Sequence, residues 1–257
     1  MIRWCAIGDS FTYLNDHPDE TNHYVTKGYL SRTLDSLRAH GLDAELTNIG
    51  INGSTTRDWL TAPLVPADFY TILLGTNDWH SGIPLDTEED FSAARPGTIL
   101  GNLSHLLPGL GRIRALSPEA KLLVMNPIER TDFVYLFDPF NNAPGSYAPE
   151  HGQKLSDVAE AIYVTCARHK IPALDLHKLC GVTPENAVHF KRVRTPEGIR
   201  DLPWPEYVGL PFDPVSDPYP YPPEAHFLTY DGLHPTDNGN EILALLLSGA
   251  MRFELRS

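Results

Sequence analysis

Four short segments hold residue types suited to moving an acyl group between oxygens. The first is Gly8-Asp9-Ser10, which follows an apolar run and precedes a helical pattern. A serine at the carboxyl end of a parallel strand projects into the crevice where such sheets bind ligands. If it opens the next helix, its oxygen lies near the positive dipole end. The plain alternative is that Ser10 or Asp9 only caps that helix. The second is Asn48-Ile-Gly-Ile-Asn-Gly53, whose glycines let a loop backbone approach a ligand and aim an N–H at it. An ordinary strand-to-helix turn, with Thr55 or Thr56 as a cap, explains it equally. The third is Gly75-Thr-Asn-Asp78, where Asn77 offers a neutral amide donor of the kind a developing oxyanion needs. An Asx turn is the competing explanation. The fourth is Asp231-Gly-Leu-His234-Pro235. A carboxylate three residues before an imidazole can fold back onto its Nδ1–H in a tight turn, which fixes the tautomer and frees Nε2 as a base. The chain has 11 histidines, so most must be ordinary ones. Together the segments supply a nucleophile, a base, an orienting carboxylate and oxyanion donors.

These segments need elements that bring them to one place. Apolar runs at 2–7, 69–74, 120–125 and 171–175 read as buried strands, and the more polar 44–49 suits a sheet edge. Each chemical segment except the last directly follows a strand. Helical periodicity fills the gaps. Leu30, Leu34 and Leu37 share a face, with Gly41 as a stop; Leu155, Val158, Ile162 and Cys166 form another stripe. Ile99, Leu103, Leu106, Leu110 and Ile113 form a third, with a kink or break expected at Pro108 and Gly109. Residues 242–251 are apolar on more than one face and read as a well-buried last helix. Pro235 is suited to open it. Strands alternating with helices predict a parallel sheet covered on both sides, with right-handed crossovers. No internal repeat is present.

Residues 183–229 break this rhythm. They hold ten of the 23 prolines, interleaved with Phe190, Trp204, Tyr207, Phe212, Tyr219, Tyr221 and Phe227. Proline at this density forbids long helices and interior strands, and the aromatics argue against a disordered linker. An ordered, extended insertion is expected, as a pocket wall or lid, or as surface cladding or a subunit contact. Residues 135–149 form a second irregular stretch.

Composition narrows the partners. The chain has 257 residues, 42% of them hydrophobic, enough for a substantial core. The formal net charge of −13 disfavours nucleic acid and gives no attraction to anionic membranes. Cys5, Cys166 and Cys180 are odd in number and scattered, which argues against a disulfide framework or a cysteine zinc site. No run approaches the roughly 18 apolar residues of a membrane span. The first strand leaves no room for a secretory leader, so a cytoplasmic location is expected, with export by another route or a missing leader as the alternatives.

The ordered set of segments resembles the SGNH hydrolase superfamily, the GDSL-type lipases and esterases. Gly8-Asp9-Ser10 matches its first block, Gly53 its second, Gly75-Thr76-Asn77-Asp78 its third and Asp231-Gly-Leu-His234 its fifth, in the family order and across most of the chain. Phe11 stands where the family name has Leu. Leu14, Asn15 and Asp16 occupy a stretch where a glycine is usual, so the turn after the serine should be shaped differently. The resemblance implies one three-layer α/β/α domain with a five-stranded parallel sheet in flavodoxin-like order. It implies Ser10 as nucleophile, His234 as base and Asp231 as its orienter, with an oxyanion hole from the Ser10 and Gly53 N–H groups and the Asn77 side chain. Two-step ester cleavage follows, with no metal or organic cofactor required. The family range of esters, the aromatic Trp79 and His80 after the third block, and the insertion's Tyr and Trp suggest short-chain or carbohydrate esters. Transfer to an alcohol or sugar acceptor would use the same residues. A dinuclear phosphoesterase built on Asp9, Asn77, Asp78 and His234 is a weaker competitor, because such sites want more histidines beside carboxylates. A non-catalytic flavodoxin-like module would leave Asp231 and His234 without a role.

Overall fold

The computed structural model describes residues 1–85, 88–93, 95–107 and 111–256. The strands are β1 (Ile2–Gly8), β2 (Ala44–Asn48), β3 (Phe69–Leu73), β4 (Lys121–Met125), β5 (Phe133–Val134), β6 (Asn142–Ala143), β7 (Ala173–Leu174), β8 (Lys191–Thr195) and β9 (Gly198–Leu202). The α-helices are α1 (Ser10–Tyr13), α2 (Tyr29–Ala39), α3 (Thr76–His80), α4 (Glu88–Ala93), α5 (Ile99–Leu106), α6 (Arg112–Leu116), α7 (Leu155–Arg168), α8 (Leu176–Leu179) and α9 (Asp237–Arg256).

A five-stranded sheet in the order β2-β1-β3-β4-β7, parallel throughout, forms the centre. This is the flavodoxin-like order expected. Alternation along each strand sends side chains to two cores. Cys5, Ile7, Tyr70, Ile72, Leu122 and Val124 pack against α5 and α7. Trp4, Ala6, Phe69, Leu73, Leu123 and Met125 pack against α2 and α9. The polar run at 44–48 is the edge strand, with alternating burial. The last strand is shorter than the 171–175 read from its apolar residues. Pro172 has no N–H for the ladder, and its carbonyl alone pairs, accepting from Val124 N at 3.0 Å.

Two helical stripes appear as α2 and α7, with α2 ending just before Gly41; of the third, Ile99, Leu103 and Leu106 lie on α5, while Ile113 belongs to the separate α6. The kink expected at Pro108 and Gly109 lies outside the described residues. The last helix begins at Asp237, two residues after Pro235, and is buried along one face only: Leu245 and Phe253 are exposed. Among the described residues no helix is long and apolar enough to cross a membrane. Cys5, Cys166 and Cys180 are free and buried, and burial pushes the Cys5 and Cys166 thiols up to about 12.

The proline-rich stretch is ordered, and its hairpin β8–β9 turns at Pro196 and Glu197. Its tyrosines grip one segment of the main fold. Tyr207 OH meets Thr131 Oγ1, Tyr219 OH donates to Val134 O at 3.0 Å and Tyr221 OH donates to Asp132 O. Lys191, almost wholly buried, pairs with Asp132 at 2.6 Å. Segment 131–134 in turn bonds the fourth chemical block, through Thr131 N to Gly232 O at 3.1 Å and Val134 N to Asp231 O at 3.2 Å. The insertion is therefore a buttress behind that block.

Candidate active site

Ser10 sits where β1 ends. Asp9 caps α1, accepting from Phe11 N at 3.1 Å, so Ser10 is left to open the helix. The cap and the chemical group are thus adjacent residues. Asp9 is almost wholly buried, and burial pushes its carboxyl up to about 7. The sheet aligns the neighbouring loop. Gly8 O, the last carbonyl of β1, accepts from Ile51 N at 3.0 Å and from Ser54 Oγ at 3.2 Å. That pins the 51–54 turn beside the serine.

Asp231 and His234 meet through the tight turn expected of their spacing. One carboxylate oxygen accepts from Leu233 N at 3.0 Å and His234 N at 2.7 Å; the other faces His234 Nδ1 at 2.7 Å. Tyr230 N to His234 O, at 3.0 Å, closes the turn. Asp231 is fully buried. With the carboxylate accepting a hydrogen bond from Nδ1–H, Nε2 carries a lone pair, and Nε2 lies 2.8 Å from Ser10 Oγ across 224 residues of chain. Phe11, Phe133 and Tyr230 surround the imidazole with ring centroids 5.6–6.0 Å away. They restrict its tilt and exclude water.

Ser10, Gly53 and Asn77, whose N–H groups are the expected donors, line one pocket. Among the described residues neither Ser10 N nor Gly53 N donates to a protein acceptor. Gly53 has φ +71°, a left-handed conformation that a side chain would strain. Asn77 Nδ2 donates to Ser54 O at 3.0 Å, which fixes the amide's orientation. Its second hydrogen has only a long contact, 3.5 Å, to Asp9 Oδ2. Gly75, at φ +122°, makes the sharp exit from β3 into α3 that presents Asn77. Asn77 and Asp78 are therefore helical rather than in an Asx turn. Ser10, Gly53, Asn77 and His234 line one pocket with Leu14, Asn52, His80, Arg130, Phe133, Tyr135, Asn141 and Leu233. Its free volume is about 90 Å³. That is small beside the roughly 300–1,000 Å³ of sites for drug-sized ligands.

Four expectations about neighbouring residues change. Trp79 does not line the pocket: it is fully buried in the core, its Nε1 donating to Gln153 O at 2.8 Å. Aromatic walls come from Phe133 and Tyr135, not from the 183–229 insertion. Thr55 and Thr56 are not side-chain caps: Thr55 N and Oγ1 donate to Asp58 at 2.7 and 2.8 Å, and Thr56 donates to Asp78. Asp78 is turned away from the serine and buried, which pushes its carboxyl up to about 6. Among the described residues no three His, Cys, Asp or Glu converge as metal ligands. Arg130 is the pocket residue that sequence reasoning missed. Its one signal was a cation five residues past the end of β4, at the ligand-binding end of the sheet.

Residues 6–193 match the GDSL-like Lipase/Acylhydrolase family model. The chain belongs to that family. The match takes in Ser10, Gly53 and Asn77, while Asp231 and His234 lie beyond it. A possible lipase from Chitinophaga pinensis has a crystal structure 39% identical to this member, with a TM-score of 0.94 and all of both chains covered. An acetyl xylan esterase from Geobacillus stearothermophilus shares the fold at 16% identity and TM-score 0.53, covering 98% of this chain and 95% of its own. An aryl esterase of M. smegmatis does so at 18% and 0.51, covering 99% and 100%. No curated protein matches the chain.

Proposed function

We propose that this family member is a serine hydrolase of carboxylic esters with short acyl groups, acetyl esters on carbohydrates included. The observation that carries the reading is the unbroken hydrogen-bonded line from Ser10 Oγ through the His234 ring to Asp231, at 2.8 and 2.7 Å. His234 Nε2 takes the Ser10 proton as Oγ attacks the ester carbonyl. Asp231 holds the ring and stabilises the imidazolium. The N–H groups of Ser10 and Gly53 and the amide of Asn77 hold the oxyanion. His234 then gives its proton to the leaving alcohol. Water, activated by the same ring, releases the acyl group from Ser10.

The small pocket supports a short acyl chain. Phe137, exposed in the stretch between β5 and β6 and set edge-on to the lining Tyr135 with ring centroids 6.0 Å apart, offers an apolar face suited to a sugar ring. The test is a series of nitrophenyl esters of increasing chain length, with an acetylated xylan beside it. Activity should fall beyond short chains and should vanish in Ser10→Ala. A preference for long chains defeats the substrate class, and full activity in Ser10→Ala defeats the mechanism.

A further inference from the structure

Arg130 is a cation built into the pocket wall without a full set of acceptors. It is 2% exposed, and its guanidinium lies over the Trp79 ring at 4.9 Å. A guanidinium carries five N–H donors. Among the described residues its only acceptor is Glu150, reached from Nη2 at 3.4 Å, near the limit of a hydrogen bond. Its Nε is enclosed with no partner. The other nearby carboxylates are committed elsewhere. Asp132 takes Lys191 at 2.6 Å, Gly145 N at 3.0 Å and Tyr147 OH. Asp231 serves His234, and the second oxygen of Glu150 faces His80 Nδ1 at 2.8 Å. Burial lowers Arg130 to about 10, which leaves it charged at neutral pH. A desolvated, under-bonded cation is costly unless something completes its shell. Trp79 beneath it blocks retreat into the core.

Resting on the ester-hydrolase reading, we infer that Arg130 is a specificity residue selecting esters that carry a carboxylate close to the scissile carbonyl, on the acyl or the alkoxy part. A carboxylate matches the guanidinium fork and supplies acceptors to the Nη hydrogens that Glu150 leaves free. Apart from the histidines, Arg130 is the one cationic residue lining this pocket among the described residues. The protein as a whole, at net charge −13, does not attract such a group, so discrimination rests on this contact.

Matched ester pairs test it. On the acyl side, 4-nitrophenyl hemisuccinate is compared with 4-nitrophenyl butyrate; on the alkoxy side, 4-acetoxybenzoate with phenyl acetate. The wild type should favour the charged member of at least one pair by roughly 10-fold or more in kcat/KM, and the favoured pair identifies the side. Arg130→Gln should reduce that ratio by about 10–100-fold, and Arg130→Lys should keep part of it. Equal turnover within both pairs overturns the inference, as does a ratio that survives Arg130→Gln. An equal loss on charged and neutral esters makes Arg130 structural and overturns it too. If neither variant folds, inhibition of the wild type by succinate against the neutral ester decides: competitive inhibition supports the contact, and its absence overturns it. Failure of the ester-hydrolase reading looks different, because no member of either pair would then show Ser10-dependent turnover.

Discussion

Asp231→Asn tests the orienting contact more sharply than removal of the side chain. The carboxylate accepts three hydrogen bonds: two backbone N–H groups on one oxygen and His234 Nδ1 on the other. An asparagine has one acceptor oxygen and one NH2. Facing the NH2 toward Leu233 N and His234 N would oppose donors at two contacts. The amide oxygen therefore stays on the backbone side, and the NH2 faces Nδ1. Nδ1 must then accept, so Nε2 carries the proton and points it at Ser10 Oγ. The base is lost while the turn survives. Were only a charge-assisted bond weakened, the cost would be about 1.5–3 kcal/mol, or roughly 10–150-fold. A locked wrong tautomer costs on the order of 10⁴ in kcat, about 5.4 kcal/mol. Among the described residues no other group bonds Nδ1, so no second orienter softens the loss. The assay is kcat on a short-chain nitrophenyl ester, with thermal unfolding as the control. A folded Asp231→Asn protein that loses less than about 10-fold refutes the tautomer argument. Asp231→Ala should unfold more readily, because it leaves two enclosed backbone donors unsatisfied.

Asn77→Ala should lower kcat by about 10²–10³ with little change in KM if, as proposed, its second N–H acts on the oxyanion; an effect confined to KM would place Asn77 in ground-state binding. Trp79→Ala removes a fully buried indole and should cost about 3–5 kcal/mol, lowering the melting midpoint by roughly 6–20 °C, whereas a pocket-wall residue would change substrate preference and leave the midpoint in place. Asp9 holds its proton more tightly when folded, at about 7, than in the unfolded chain, at about 3.9, so its contribution to stability falls as pH rises from about 4 to 7. Asp9→Asn keeps the cap but cannot ionise, so the variant should gain on the wild type between pH 5 and pH 8 in urea unfolding; a difference independent of pH contradicts the buried-carboxyl account.

The sheet was legible because buried parallel strands are short apolar runs, and because their order follows once the family resemblance is seen. The Asp231–His234 pair was legible because its geometry is local, three residues within one turn. Trp79 misled for a helical reason. Each helical residue turns about 100°, so Trp79 lies about 200° round α3 from Asn77 and faces the core, while His80, three residues on, returns to the pocket face. Arg130 was invisible because its setting comes from tertiary packing, with Trp79 on another element and Glu150 20 residues along the chain. The insertion's prolines foretold an irregular chain. They could not foretell that Tyr207, Tyr219 and Tyr221 would take their hydroxyl partners from residues 131–134.

The most direct test of the central claim is covalent labelling of the intact protein with a serine-directed phosphonate, read by mass spectrometry of the digested adduct. The account predicts a single adduct on Ser10, absent in Ser10→Ala and formed far more slowly in His234→Ala. An adduct on another residue, or equal labelling of Ser10 with and without the imidazole, would contradict it.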